Sequence, residues 1–143
     1  MAFNLNIGYP NDPVYTNLFI INFDDEYMKE NCYKMDKKYC YFNANEINEK
    51  IVPLEYIYRL IKNKEVFDLP IYIHNKKETV IQIIILENFQ FTKLKDVVNF
   101  DYSRFSDIMK LRVRYKYKNM VLCNDYNKYL RKKKLENIKK ISE

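Results

Sequence analysis

The stretch from Val80 to Lys118 reads VIQIIILENFQFTKLKDVVNFDYSRFSDIMKLRVRYKYK and contains the two clearest strands of the sequence. Its first part, Val80–Leu86, is a run of Val, Ile and Leu broken only by Gln82. The run is too short to span a membrane and too rich in β-branched residues to favour a helix. The pattern therefore predicts a central strand that is buried on both faces.

A second strand is predicted from Met109 to Lys118, where apolar and basic residues alternate. One face of this strand would pack in the core through Met109, Leu111, Val113, Tyr115 and Tyr117. The opposite face would carry five cations, namely Lys110, Arg112, Arg114, Lys116 and Lys118. Between the two strands lies a segment with apolar residues and, toward its end, turn and capping residues, which predicts an aromatic crossover. The apolar residues there are Phe89, Phe91, Leu94, Val97 and Phe100, and the turn and capping residues are Asn99, Asp101, Ser103 and Ser106.

The order of these features carries a resemblance. An isoleucine-rich strand is followed by Asn and an aromatic residue, a short crossover, an aromatic-Asp-Tyr-Ser sequence, and an alternating strand that ends in Tyr-x-Tyr. The residues that fit are Asn88, Phe89, Leu94, Val97, Phe100, Asp101, Tyr102, Ser103, Val113, Tyr115 and Tyr117. This order resembles the C-terminal half of the tail tube proteins of contractile-tailed bacteriophages and related injection machines. About 40 of the 143 residues carry the resemblance.

The resemblance implies a viral structural protein with an antiparallel β-barrel or sandwich and one helix. It implies hexameric rings of identical subunits, stacked around a channel for DNA in the virion tail, and contacts with other tail or baseplate proteins. Such a protein would be made in the host cytoplasm. The chain contains one glycine, whereas tube subunits usually contain more. The chain is also basic, whereas the channel wall of tube proteins is typically acidic. A specialised tube-initiating, baseplate or terminating ring would fit these departures.

Composition predicts one mainly β (α+β) domain. A chain of 143 residues can bury a sufficient core without disulfides or metals. Its three cysteines, Cys32, Cys40 and Cys123, form no C-x-x-C pair and favour reduced thiols. No secretion signal or membrane span is visible, so we expect a soluble protein. We divide the chain into an N-terminal arm (1–16), a β-barrel-like domain (17–123) and a basic C-terminal helix or tail (124–143).

The N-terminal half predicts a hairpin. Asn17–Asp24 and Lys38–Ala44 are rich in apolar and aromatic residues, and we expect them to pair. Asp25–Lys37 connects them and is long and charged. It would form either a solvated excursion or a protrusion that contacts a neighbouring subunit.

An amphipathic helix is predicted to begin at Pro53, because apolar residues then recur at helical spacing. Its predicted stripe consists of Leu54, Ile57, Tyr58 and Ile61, and we expect this stripe to cover the open face of the sheet. The pair Leu69-Pro70 would close this segment. A second hairpin is expected between Ile71–His74 and Thr79–Leu86, with its turn at residues 75–78.

The last 20 residues carry seven Lys or Arg and three Asp or Glu, which is +4 of the net charge of +6. A weak stripe predicts a basic helix in this segment. The stripe consists of Leu130, Leu135, Ile138 and Ile141. This charge motivates a second hypothesis, a small nucleic-acid-binding or ribosome-associated α+β protein. The segment could also serve only as a solubilising tail.

The sequence contains no arrangement typical of an enzyme. One glycine is too few for a glycine-rich phosphate loop, and the common spacings for zinc or calcium ligands are absent from the sequence. The single histidine, His74, has no neighbour in sequence with which to form a catalytic pair, and we expect a structural role for it. We therefore expect no catalytic residue, metal or cofactor.

The five cations of the predicted second strand repel one another, so this face must be tolerated or used. They could contact acidic residues of an adjacent subunit, line a channel for an anion, or form an ordinary solvated face. Tyr115 and Tyr117 would lie on the opposite face of the strand. That argues against a surface on which bases stack, because such a surface needs aromatic rings and cations on the same face.

Overall fold

In the computed structural model, residues 14–15, 18–98 and 108–142 are described. The chain is mainly antiparallel β-structure with three helices among these residues. The helices are α1 Glu26–Asn31, α2 Leu54–Lys62 and α3 Tyr126–Ser142. The strands are β1 Phe19–Ile21, β2 Cys32–Met35, β3 Tyr39–Asn43, β4 Asn45–Ile47, β5 Lys50–Val52, β6 Phe67–His74, β7 Val80–Val98, β8 Lys110–Lys116 and β9 Asn119–Cys123. The α+β class predicted from the sequence is confirmed.

Seven of the described strands form one antiparallel sheet in the order β1-β6-β7-β8-β3-β2, and β9 pairs with β7 beside β8. Strands β4 and β5 form a separate hairpin. The sheet does not close into a barrel, so among the described residues β1, β2 and β9 each pair along one side only. The sheet therefore has open edges at which further strands could pair.

Strand β7 organises the sheet. Its first half pairs with β6 on one side and with β9 on the other, and its second half pairs with β8. The central strand predicted from Val80 is confirmed, although Val80 and Ile81 are exposed at its start. The predicted crossover is wrong from Asn88 to Val98, because the strand continues there. Two bulges in the pairing with β8 interrupt the alternation of side chains, so the sequence looks irregular where the backbone is still extended.

The core lies on one side of this sheet around phenylalanine rings. Phe23, Phe42, Phe89 and Phe91 are each at most 3% exposed, and the rings of Phe89 and Phe91 lie 5.1 Å apart, edge to face. Aromatic rings bury large apolar areas and favour such tilted contacts. The chain therefore fills its core with phenylalanine rather than tryptophan, which it lacks.

The predicted pairing of the first two strands is wrong. β1 pairs with β6, whereas β3 pairs with β2 and β8. The intervening segment, Asp25–Lys37, folds into α1 and β2 instead of forming an excursion. The Asp25 carboxylate caps α1 by accepting a hydrogen bond from the Met28 amide at 3.0 Å, and the Met28 side chain is fully buried. This local cap begins a helix where the sequence predicted a connection without one.

Helix α2 begins directly after Pro53, as predicted, and covers the core through Ile57 and Leu60. The predicted stripe is wrong at Tyr58, which is 61% exposed. The β6–β7 hairpin is also confirmed, but β6 begins at Phe67 and so includes Leu69 and Pro70, which were predicted to close the preceding segment. Proline is tolerated at this point because β1 ends opposite Ile71, so the missing amide hydrogen is not required for its ladder.

The basic helix predicted near the C-terminus is confirmed as α3. It packs on the face of β6, β7 and β9 opposite the phenylalanine core, with Tyr126 and Tyr129 against Ile83 and Ile85. The described residues of the predicted stripe, Leu130, Leu135 and Ile138, are 43–60% exposed, so the helix packs on the sheet through other residues. The predicted arm at residues 1–16 lies outside the described residues except for positions 14 and 15.

Candidate functional site

The five cations predicted on one strand face lie on β8 and the two residues after it. The alternation is confirmed: Leu111 and Val113 are fully buried, while Lys110, Arg114 and Lys116 are exposed. Arg112 is partly buried. Lys118 lies beyond the strand and donates its amide hydrogen to the Glu87 carbonyl at 2.8 Å. The cations of the strand therefore project from the outer face of the sheet, away from the phenylalanine core.

Tyrosines from β3, which pairs with β8, and from β2, which pairs with β3, share this outer face. In the β3–β8 ladder, Tyr41 lies opposite Arg112 and Tyr39 lies opposite Arg114. Residues that oppose each other in an antiparallel ladder project to the same side. Cys40 and Phe42, between and beyond these tyrosines, point into the core and are fully buried. We call this surface the tyrosine-cation face; its members are Tyr33, Lys34, Tyr39, Tyr41, Lys110, Arg112 and Arg114.

Cations and rings are in direct contact on the tyrosine-cation face. The Lys34 ammonium lies 4.8 Å from the Tyr41 ring centroid, and the Lys110 ammonium lies 5.1 Å from that of Tyr33. The Arg112 guanidinium carbon lies 4.8 Å from the Tyr39 centroid. Each distance is within the roughly 6 Å at which a cation is attracted to an aromatic ring. These contacts hold long basic side chains close to the rings.

The turn between β2 and β3 fixes the positions of the tyrosines. One Asp36 carboxylate oxygen accepts hydrogen bonds from the amides of Lys38 and Tyr39 at 2.9 and 2.8 Å. The other oxygen accepts the Tyr41 hydroxyl at 2.7 Å. From the core side, the Tyr115 hydroxyl donates to the Asp36 carbonyl at 2.6 Å. The turn is thus fastened from both faces of the sheet.

The electrostatics of this turn keep Asp36 ionised and the tyrosines neutral. Burial raises the pKa of Asp36, but the hydrogen bonds from Lys38, Tyr41 and Tyr39 outweigh it, so the pKa lies below its ordinary value. The hydrogen bond to Asp36 raises the pKa of Tyr41, which Arg112 partly opposes. Burial raises the pKa of Tyr115 to about 12. The hydroxyls therefore remain protonated at neutral pH.

The sequence argument against a stacking surface considered only the rings of the strand that carries the cations. Tyr115 and Tyr117 do lie on the other side from the cations, with Tyr115 stacked on Phe89 at 5.0 Å. The rings beside the cations come instead from β2 and β3. The alternation of Tyr39, Cys40, Tyr41 and Phe42 indicates that the two tyrosines share one face of β3. The sequence prediction paired this strand with the first strand, whereas it pairs with β8, so the tyrosines were not placed beside the cations.

Some of the residues that carry the resemblance are described by the structure, and others are not. Asn88 has a left-handed backbone conformation (φ 56°) and donates its amide hydrogen to the Asp68 carboxylate at 3.1 Å. Asn tolerates this conformation better than most residues. Phe89 is fully buried and Tyr117 is partly exposed beside Tyr115. Phe100, Asp101, Tyr102 and Ser103 lie outside the described residues.

A second polar cluster lies under α3, and we call it the α3 docking cluster: Asp68, Glu87, Tyr129 and Lys133. The Tyr129 hydroxyl donates to Glu87 and lies 3.1 Å from a carboxylate oxygen of Asp68. The Lys133 ammonium lies 2.9 Å from the Glu87 carboxylate. The hydrogen bonds from Tyr129 and Lys133 lower the pKa of Glu87, and burial and these carboxylates raise the pKa of Tyr129. The cluster neutralises a buried acid and fastens the helix.

The side chain of His74 makes a local contact with the backbone. Its Nδ1 lies 3.0 Å from the carbonyl oxygen of the adjacent Asn75. Within the described part of the chain, no three His, Cys, Asp or Glu residues are placed to hold a metal ion. None of the described helices is long and apolar enough to cross a membrane.

An apolar cavity of about 310 Å³ opens between the two edges of the sheet. It is lined by Leu18, Phe19, Ile21, Met35, Ile71 and Ile73, together with residues 14 and 15. Met35 belongs to edge strand β2 and Phe19 to edge strand β1, so the sheet leaves an apolar gap where a closed barrel would have another strand.

Comparisons with protein-family models, curated proteins and solved structures find no match to this chain. The resemblance to tail tube proteins therefore stays a prediction. Three features of the described residues bear on function, namely the tyrosine-cation face, the α3 docking cluster and the open edges of the sheet.

Proposed function

We propose that this protein is a structural subunit that assembles with copies of itself into rings, and that the rings stack into part of a phage tail tube around a channel for DNA. The resemblance suggests six subunits per ring and contacts with other tail or baseplate proteins. In this proposal the protein acts in the virion tail and has no catalytic activity. The single observation that carries the proposal is the exposed apolar edge at β9.

Strand β9 has the properties of an edge that another strand would cover. It pairs with β7 along one side, and no described strand pairs with its other side. Met120 and Leu122 lie opposite Leu86 and Ile84 and so project to the core side of the sheet, yet they are 56% and 63% exposed. Unpaired backbone beside exposed apolar side chains favours the addition of a strand from another chain.

We take the apolar cavity between the two end strands as the surface complementary to β9. The apolar cavity between β1 and β2 is flanked by two edge strands, and Ile20 on β1 is 44% exposed. In this proposal, the β9 edge of one subunit fills the gap between β1 and β2 of the next. Such a contact joins two different surfaces, and contacts of this kind form rings when the rotation closes.

The proposal predicts the behaviour of the purified protein. Size-exclusion chromatography with light scattering, and negative-stain imaging, should show rings or tubes at both low and high salt, because the contact is apolar. A chain that stays monomeric at all accessible concentrations would contradict the proposal.

A variant at the edge makes the test specific. Leu122→Lys should dissociate the rings, because a charge on an edge strand opposes strand addition, while the monomer remains folded by circular dichroism. Leu135→Lys is the matched control, since Leu135 is 60% exposed on α3 rather than on an edge strand, and the rings of this variant should persist. Rings that survive Leu122→Lys would exclude β9 as the assembly edge.

A further inference from the structure

The tyrosine-cation face combines three exposed or partly exposed aromatic rings with basic side chains on one surface of a sheet. Proteins that bind single-stranded nucleic acid through a sheet use this combination, with rings that stack on bases and cations that contact phosphates. We propose that the tyrosine-cation face binds single-stranded nucleic acid, with Tyr33, Tyr39 and Tyr41 as the stacking residues. This activity is additional to assembly and does not rest on it.

The three tyrosine rings do not stack on one another. The Tyr33 and Tyr41 centroids lie 6.2 Å apart with the ring planes at 48°, and those of Tyr39 and Tyr41 lie 6.3 Å apart at 65°. The rings are tilted rather than stacked, so they do not cover one another. Tyr33 is 41% exposed on the edge strand β2, where a base can approach from the open side of the sheet.

The cations are placed for phosphates. Lys34, Lys110 and Arg112 each lie about 5 Å from a ring centroid, so the phosphate of a nucleotide stacked on one ring comes within reach of a cation. Asp36 brings a negative charge to the same turn, but its oxygens already accept two amides and the Tyr41 hydroxyl. Its charge is therefore largely satisfied within the protein.

A further cation extends the face on its other side. Lys93 of β7 lies directly opposite Arg114 in the ladder, and both are exposed. Like charges placed opposite each other on a sheet are destabilising, and an anion between them relieves the repulsion. Together these cations form a track across β2, β3, β8 and β7. A duplex hides the faces of its bases, so stacking on this track selects unpaired strands.

The binding test uses a fluorescein-labelled oligothymidylate of about 20 nucleotides and fluorescence anisotropy. We expect binding that weakens with salt, with a slope of log K against log salt of about −3 if four phosphates are contacted. Stacked bases should quench the intrinsic tyrosine fluorescence, which can be observed because the chain has no tryptophan. Oligouridylate in parallel shows whether RNA and DNA both bind. A duplex of equal length that binds as tightly would overturn the proposal, and so would inorganic polyphosphate that competes equally well.

Substitutions separate stacking from charge. Tyr33→Leu should weaken binding roughly 5- to 150-fold, whereas Tyr33→Phe, which keeps the ring, should bind as the parent protein does. Equal binding by both variants and the parent would exclude Tyr33 as a stacking residue and overturn the assignment. Circular dichroism of each variant verifies that it is folded.

A second pair of variants locates the charge. Lys110→Gln with Arg114→Gln should reduce both affinity and salt slope, whereas Lys132→Gln with Lys134→Gln on the basic helix α3 removes the same charge and should have less effect. An equal or larger loss in the α3 pair would place the binding on the helix and overturn the proposal. The monomeric Leu122→Lys variant should still bind the oligonucleotide, so failure of assembly and failure of binding can be told apart.

Discussion

Two regions of this molecule use the same residue types for different ends. In the α3 docking cluster, Tyr129 and Lys133 meet the carboxylate of Glu87 beneath a helix, and Tyr129 is 8% exposed. On the tyrosine-cation face, tyrosines and cations contact one another on a sheet surface that no described helix covers. The comparison teaches that a covering helix turns such residues into a structural contact, whereas on the uncovered surface the rings and cations stay at least partly exposed.

The largest expected effect is at the covered region. Tyr129→Ala removes a buried ring and leaves Glu87 without its hydroxyl donor, so we expect a loss of about 3 to 4 kcal/mol in the free energy of unfolding. Urea denaturation measures it. The neighbouring Leu130→Ala, at a 43% exposed position, should change stability by no more than about 0.5 kcal/mol. Similar losses in both variants would mean that Tyr129 does not hold the helix.

A smaller effect depends on pH. The pKa of Glu87 in the folded protein is below its ordinary value of 4.5, mainly because of the Tyr129 hydrogen bond and then that of Lys133. Its ionised form therefore contributes stability above pH 4.5, and this contribution is lost as the pH falls through the lower folded-state pKa. Glu87→Gln should cost about 1 to 2 kcal/mol at neutral pH and progressively less in acid.

Urea denaturation of parent and Glu87→Gln from about pH 7 to about pH 3 measures this change. A stability difference that stays constant over the whole range would show that the charge of Glu87 does not matter. Glu136→Gln, on the exposed part of α3, is the control for general effects of removing one negative charge.

The open region should respond less strongly in stability. Tyr41→Phe removes the hydroxyl that Asp36 accepts at 2.7 Å, so we expect a loss of about 1 kcal/mol in unfolding free energy. The ring is retained, and oligothymidylate affinity should therefore stay within about twofold of the parent. A large loss of affinity with unchanged stability would mean that the hydroxyl, rather than the ring, contacts the nucleic acid.

The smallest expected effect is a gain. Arg114→Glu places opposite charges across the ladder from Lys93 and should stabilise the fold by a few tenths of a kcal/mol, while it weakens oligonucleotide binding. Lys95→Glu is the control. Lys95 is exposed in a bulge of β7 and has no directly opposed residue, so this variant should change stability less. Denaturation of the two variants side by side measures the difference.

The same face tests a separate, electrostatic contact between subunits, which the sequence left open. If these cations contact acidic residues of an adjacent subunit, Arg112→Glu with Arg114→Glu should abolish ring closure or stacking. Unchanged rings in negative-stain images would remove that role and leave the face to nucleic acid.

The sequence was sufficient for elements whose residues contact near neighbours. The helix after Pro53, the hairpin at residues 75–78 and the alternation around Val113 each follow from spacing within one segment, and each is confirmed. The continuation of β7 does not follow from spacing, because its two bulges shift the alternation. A pattern within one segment cannot show a bulge whose cause is the partner strand.

The candidate site could be predicted only in half. The cations were evident because they alternate along β8, but the rings beside them depend on the pairing of Tyr41 with Arg112. A period of two fixes which residues share a side of one strand, and it says nothing about which strand lies next to it. Similarly, Tyr129 was less conspicuous in the sequence than Leu130, Leu135 and Ile138 of α3, which are exposed.

The pairing of β3 with β8 has a consequence for folding order. Strands β6, β7, β8 and β9 follow one another in the chain, and β7 pairs with each of the other three. Strand β3, in contrast, pairs with β8, which lies about 70 positions later in the chain. Closing so large a loop costs chain entropy before its contacts are gained, so distant pairings form slowly. On a ribosome, the surface proposed to bind single strands would be complete only after most of the polypeptide has emerged, which delays contact with nearby RNA until the end of synthesis.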